Sequence, residues 1–173
     1  MSKSGLKVVI ALTGILGMGE TQAQTPRPPS PKDFVLAVSQ NDQYEVLAGR
    51  VASVQGQDPR VRTFAQDMIQ DHARLADDMS KAARSSGLAP PEPSLSSDQA
   101  MLLSSLQSVR GAEFDKTYAR QQELAHAQAV AVMESFETAG SDPNLRREAQ
   151  SALPVIRDHL KKVQQLAVDL GGS

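Results

Sequence analysis

The chain has no cysteine and no tryptophan among its 173 residues, and aromatics make up only 3% of it. Without thiols there is no disulfide framework, no thiolate metal site, no cysteine nucleophile and no lipid attachment through an N-terminal cysteine. A net charge of −2 gives no electrostatic reason to bind nucleic acid. Neither a Gly-x-Ser-x-Gly elbow nor a glycine-rich phosphate loop occurs, so no catalytic residue is assigned and the balance leans away from an enzyme. No stretch alternates with period two over a useful length, which argues against strands. What the chain does have is the composition of a folded protein, 40% hydrophobic and 22% charged. Rich in alanine, leucine, valine and glutamine, it reads as helices packed on helices. Its length suits one domain.

The N-terminus reads as an export signal. Lys3 and Lys7 supply a positive start, and Leu6 to Met18 is an apolar run too short for the roughly 20 residues that span a bilayer. Small residues at Thr21 and Ala23 place cleavage after Ala23, so that residues 1–23 are a signal peptide. Residues 24–30, with Pro26, Pro28 and Pro29, form a proline-rich leader. The expected location is the periplasm, with outer-membrane association as a variant and no transmembrane span once the signal is removed.

From residue 31 to 170 the chain punctuates itself into a bundle. Ser30-Pro31 opens a helix that ends at Gly56, and Asp58-Pro59 opens the next, stopped by Gly87. Ala89-Pro90-Pro91-Glu92-Pro93 is a connector, and Ser97-Asp98 caps a short helix reaching Arg110. A long helix spans Ala112 to Ala139, and Asp142-Pro143 starts the last, which carries Pro154 as an expected kink. Val61, Ala65, Met68, His72, Leu75, Met79 and Ala82 recur at steps of three and four. So do Leu145, Ala149, Ala152, Ile156, His159, Val163, Leu166 and Leu170. These are bundle seams. Met68, Met79, Met101 and Met133 at helical spacing read as core packing.

The two tight turns, Gly56-Gln57-Asp58-Pro59 and Gly140-Ser141-Asp142-Pro143, each join an antiparallel pair. Between the pairs lies a long connector with its own short helix. The expectation is an all-α, ferritin-like four-helix bundle whose second and third long helices run parallel across that crossover. The matching turns, and the pairs Asp71-His72 and Asp158-His159, fit either a duplicated hairpin or two independent solutions to one turn.

Several blocks occur together: Phe34-Val35 on the first helix, Phe64-Ala65-Gln66 then Asp71-His72, Gly111 to Tyr118, and Leu153-Pro154 then His159-Leu160. In these the chain resembles the bacterial domain of unknown function 4142 family over residues 33–167. The resemblance implies an exported ferritin-like four-helix protein of the bacterial envelope, without an established activity. One departure is Ala125 before His126, where family members often carry an aspartate.

Only three histidines occur, one on each of three long helices. At 1.5 Å rise per residue, His72, His126 and His159 fall within roughly 5 Å of one bundle layer. His72 and His159 occupy seam positions otherwise apolar, while Glu45 and Glu123 are the carboxylates nearest that level. Neutral imidazoles converging with one or two carboxylates are a plausible shell for a single zinc, copper or iron ion. A di-iron carboxylate site needs Glu-x-x-His on two helices. Glu123 to His126 fits, but Ile69 and Ile156 stand where the other glutamates belong, so two carboxylates are missing and the pattern argues against that chemistry. The alternative is a metal-free layer in which each histidine bonds a neighbour such as Tyr44, Tyr118, Glu45 or Glu123, fixing helix register. Two functions follow: a metal-free module meeting an envelope protein partner or serving stress, slightly favoured because the ligand set matches no standard catalytic site, or a metal-binding bundle with a three-histidine centre.

Overall fold

The computed structural model describes residues 29–171, so the expected signal peptide and most of the leader lie outside the described residues. Five helices and no strand occur among them: α1 (Pro31–Gln55), α2 (Pro59–Ser85), α3 (Ser97–Ser108), α4 (Gly111–Ala139) and α5 (Pro143–Gly171). No described helix is long and apolar enough to cross a membrane.

The boundaries follow local chemistry. Ser30 accepts from the Asp33 amide and Asp58 from the Arg60 amide, each with proline in the first turn, where no intrahelical partner is lost. Gly87, at φ +72°, stops α2 through backbone bonds to the carbonyls of Arg84 and to Ala83 from Leu88. The cap of α3 sits one residue earlier than the sequence suggests. Ser96 is the cap, because Gln99 three residues on closes a reciprocal capping box with it. Helix α5 continues through Pro154, whose ring is on the exposed side. Met101 departs from the expected methionine core: it is 64% exposed on α3, a helix that buries only Leu106.

Contacts between helix ends give the topology. Phe34 of α1 stacks on Phe136 of α4 with ring centroids 3.9 Å apart, so α1 begins where α4 ends. Arg60 of α2 reaches Asp169 of α5 at 3.0 Å, and Ser86 just beyond α2 donates to Asp142 just before α5. Helices α2 and α5 are thus antiparallel, and α2 and α4 run parallel across the crossover, as in ferritin-like bundles. Helices α1 and α2 approach closely at Gly49, where an added Cβ would stand 2.9 Å from the Ala65 carbonyl and from an Ile69 side-chain carbon.

The Gly111–Tyr118 block has a clear structural task. Phe114 and Tyr118 are fully buried. Asp115, 3% exposed, accepts the Gln57 amide at 3.0 Å and the Asp58 amide at 2.8 Å, pinning the α1–α2 turn to the start of α4. Asp115→Ala leaves both turn amides without their acceptor and is expected to cost about 2–3 kcal/mol. A chemical-denaturation midpoint lowered accordingly, with helix content retained, is the readout.

The core is divided in two. One apolar half gathers around Ala52, Phe64, Phe114 and Leu166, the other around Phe34, Met79, Phe136 and Leu145. Between them lies a polar layer of Asp42, Glu45, His72, Gln122, His126 and His159, none more than 2% exposed.

Candidate metal centre

The three histidines meet in that layer, each brought there by the seam of its own helix. Their ring centroids are 5.5, 5.4 and 5.4 Å apart, a nearly equilateral triangle. One ring nitrogen from each lies within 4.8 Å of the other two. His72 and His126 are fully buried and His159 is 1% exposed.

The outer partners of the rings decide which nitrogens face inward. His126 Nδ1 lies 2.9 Å from the Gln122 backbone oxygen, which can only accept, so Nδ1 carries the proton and Nε2 the lone pair. His159 Nε2 lies 2.9 Å from Asp71 Oδ2, and Asp71 is paired through Oδ1 with Arg74 at 2.8 Å. The proton therefore sits on Nε2 of His159 and the lone pair on Nδ1, an atom that is buried with no hydrogen-bond partner. His72 Nδ1 lies 2.8 Å from Asp42 Oδ1; burial pushes the Asp42 carboxyl well above the ordinary carboxylate range, and His72 Nε2 offers a lone pair when the proton of this pair sits on Nδ1. His72 Nε2 and His126 Nε2 then face each other at 3.4 Å. With a proton on His72 Nε2 this contact is a long hydrogen bond; with a lone pair on each nitrogen it is repulsive unless a cation lies between them. Two ligands at ~2.0–2.1 Å from a tetrahedral zinc ion are themselves about 3.4 Å apart.

Anchoring the outer ring nitrogen of a histidine on a carboxylate or carbonyl is how metal-binding imidazoles are oriented and made more basic. The electrostatics agree. Burial pushes His72 down to about 4, with Asp71 pulling the other way, and burial pushes His126 down to about 3, with His72 adding to the shift. His159 is lowered by burial and partly restored by its bond to Asp71. The rings are neutral at physiological pH, the state that binds metal.

The carboxylates fall out differently. Glu45 is fully buried on α1, and its Oε1 lies 3.9 Å from His126 Nδ1, the ring's outer side, so it borders the triad without joining its inward-facing atoms. Both its oxygens lack a hydrogen-bond partner. Glu123 is half-buried and outside the cluster. Among the described residues no further His, Cys, Asp or Glu joins the triad, so these three ligands would leave a tetrahedral ion one open position. The hydroxyls expected to serve a metal-free layer bond none of the rings: that of Tyr44 donates to Gln121 at 3.1 Å, and that of Tyr118 is buried without a partner.

Sequence reasoning missed Asp42 and the cross-helix role of Asp71. A signal for Asp42 was present, since Phe34 and Val38 continue by a further step of four onto it, a charged residue on an apolar seam. Asp71 and Asp158 do not act alike despite their similar settings: Asp71 holds His159, whereas Asp158 pairs with Lys162 at the surface.

A crystal structure of a DUF305 fragment from Deinococcus radiodurans is similar to this chain, with a TM-score of 0.67 at 19% identity over 84% of this chain and 100% of that one. Likeness at that identity concerns the fold alone. No curated protein matches the chain. A family model matches residues 17–166, and the chain belongs to that family, described as a domain of unknown function (DUF4142).

Proposed function

We propose that this is an exported metal-binding bundle that holds one divalent ion, zinc foremost, on His72, His126 and His159. The observation that carries the reading is the convergence of inward ring nitrogens: an orphaned Nδ1 on His159 and two Nε2 atoms 3.4 Å apart. A metal-free layer satisfies at most one of these contacts, through a shared proton between His72 and His126. Copper and iron also take imidazole ligands, but the near-threefold triangle suits tetrahedral zinc better than the tetragonal preference of Cu²⁺. Export is supported by the basic start and short apolar run of residues 3–18. Rings at most 1% exposed suit holding an ion for storage, sensing or protection rather than turning over a substrate.

Titration of the purified chain with Zn²⁺ at neutral pH tests this. One equivalent is expected to bind tightly, and His72→Ala, His126→Ala or His159→Ala is each expected to weaken binding at least 100-fold. Binding absent from the wild type, or equal in all four proteins, would return the histidines to a register-fixing role and the protein to a metal-free module with an envelope partner.

A further inference from the structure

The triad is closed to solvent, so an ion needs a route to it, and one cleft leads to its supporting shell. This cleft lies between α1 and α4 beneath the crossover, with a volume of about 230 Å³. Its polar lining is Gln40, Asn41 and Asp42 of α1, Gln128 of α4, and Ser96 and Gln99 at the start of α3, and the rest of the wall is apolar side chains of α1, α4 and α5. The Ser96–Gln99 capping box fixes the rim on the crossover side. Asp42 is 2% exposed; its Oδ1 meets His72 Nδ1 at 2.8 Å, while its Oδ2 is buried with no partner.

We propose that this cleft is the capture site through which a hydrated divalent metal ion reaches the triad, with Asp42 Oδ2 as its first protein ligand. The inference rests on the metal-binding reading and adds the route to it. Three observations converge. The buried carboxylate oxygen without a partner is a ligand atom waiting where a cation would arrive, and its sister oxygen already touches a triad ring. The remaining polar groups are amides and a hydroxyl, which bind the water shell of an ion without adding a positive charge. The volume is also apt: at ~30 Å³ per water, six waters around an ion occupy about 180 Å³. A drug-sized organic ligand wants upwards of ~300 Å³. One imidazole ring separates Asp42 from the triad centre, so transfer asks His72 to turn rather than the helices to part.

The test is the rate of Co²⁺ loading into the full chain, followed by visible absorption, and of its release to a chelator. Ala129→Phe fills the cleft from α4 and is expected to slow loading and release by the same factor, ten-fold or more, leaving the equilibrium affinity unchanged. Gln128→Lys is an exposed substitution that leaves the fold intact even if the larger side chain does not. It is expected to slow loading about three-fold or more at low salt, with recovery at high salt. Thr63→Phe in the groove between α2 and α5 is the control and is expected to change neither rate. Loading indifferent to both cleft variants, or slowed by Thr63→Phe instead, would overturn the route while leaving the metal site standing. A wild-type chain that takes up no ion would remove the metal site and the route together.

Discussion

Saturating zinc is expected to raise the unfolding temperature of this chain by about 10 °C, and the rise is expected to vanish in the double variant His72→Leu, His159→Leu. An ion bound only by the folded state stabilises it by about 4 kcal/mol at a thousand times its dissociation constant. For a domain of this size each kcal/mol moves the midpoint by roughly 2–4 °C. The single replacements without metal separate the two supporting shells. His159→Leu leaves Asp71 half-exposed and still paired with Arg74, so it is expected to be neutral or slightly stabilising, as replacing a buried polar group by an apolar one of similar size often is. His72→Leu removes the one hydrogen-bond partner of the buried Asp42 and is expected to cost about 1–3 kcal/mol. Calorimetry with and without Zn²⁺ reads all of these. A metal-induced rise that survives the double variant would place the ion elsewhere.

The second large effect lies at Glu45 in the metal-free chain. Burial holds its carboxyl up to about 8 against an ordinary 4.5, with the Gln122 side chain easing the shift and Asp42 adding to it. The other titratable groups around it are Tyr44, Tyr118 and His126. Because the folded state holds this proton more tightly, it binds more protons than the unfolded chain between about pH 4.5 and pH 8. Stability from this group is therefore lost as the pH rises through that window and is gone above it. At about 1.4 kcal/mol per pH unit the full loss is on the order of 5 kcal/mol. Glu45→Gln keeps the shape of the neutral acid and cannot ionise. It is expected to match the wild type near pH 4.5 and to be several kcal/mol more stable at pH 8.5. Chemical denaturation with a chelator present measures the gap, and parallel pH curves for the two proteins would refute the assignment.

Much of this architecture was legible in the sequence because helix bundles write their packing as spacing. The seams of α2 and α5 are buried almost residue for residue, from Val61 to Met79 and from Leu145 to Leu170, and only Ala82 gives way to Ala83 at the end. The placement of three histidines at one level follows from the fixed rise of a helix, and the parallel run of α2 and α4 from a crossover too long for a simple hairpin. The hydrogen-bonding shell was harder to see. Whether Glu45 or Glu123 turns toward the layer depends on helix rotation by a fraction of a turn, which spacing alone leaves open. Glu45 is buried beside His126 but on the ring's outer side, and Glu123 stays half-buried at the margin. Asp71 lies next to His72 in sequence yet serves His159, because neighbouring residues on a helix point about 100° apart and meet different partners. The orientation that aims one nitrogen of each ring inward emerges only once the partner of each outer nitrogen is in view.

The most direct measurement is the metal content of the chain, exported and purified without chelators, beside the His72→Ala, His126→Ala, His159→Ala triple variant. Elemental analysis is expected to find close to one equivalent of a late first-row metal, zinc foremost, in the wild type and none in the variant. No metal in either protein, together with no thermal shift on adding Zn²⁺, would contradict the account and leave the three histidines as a structural layer.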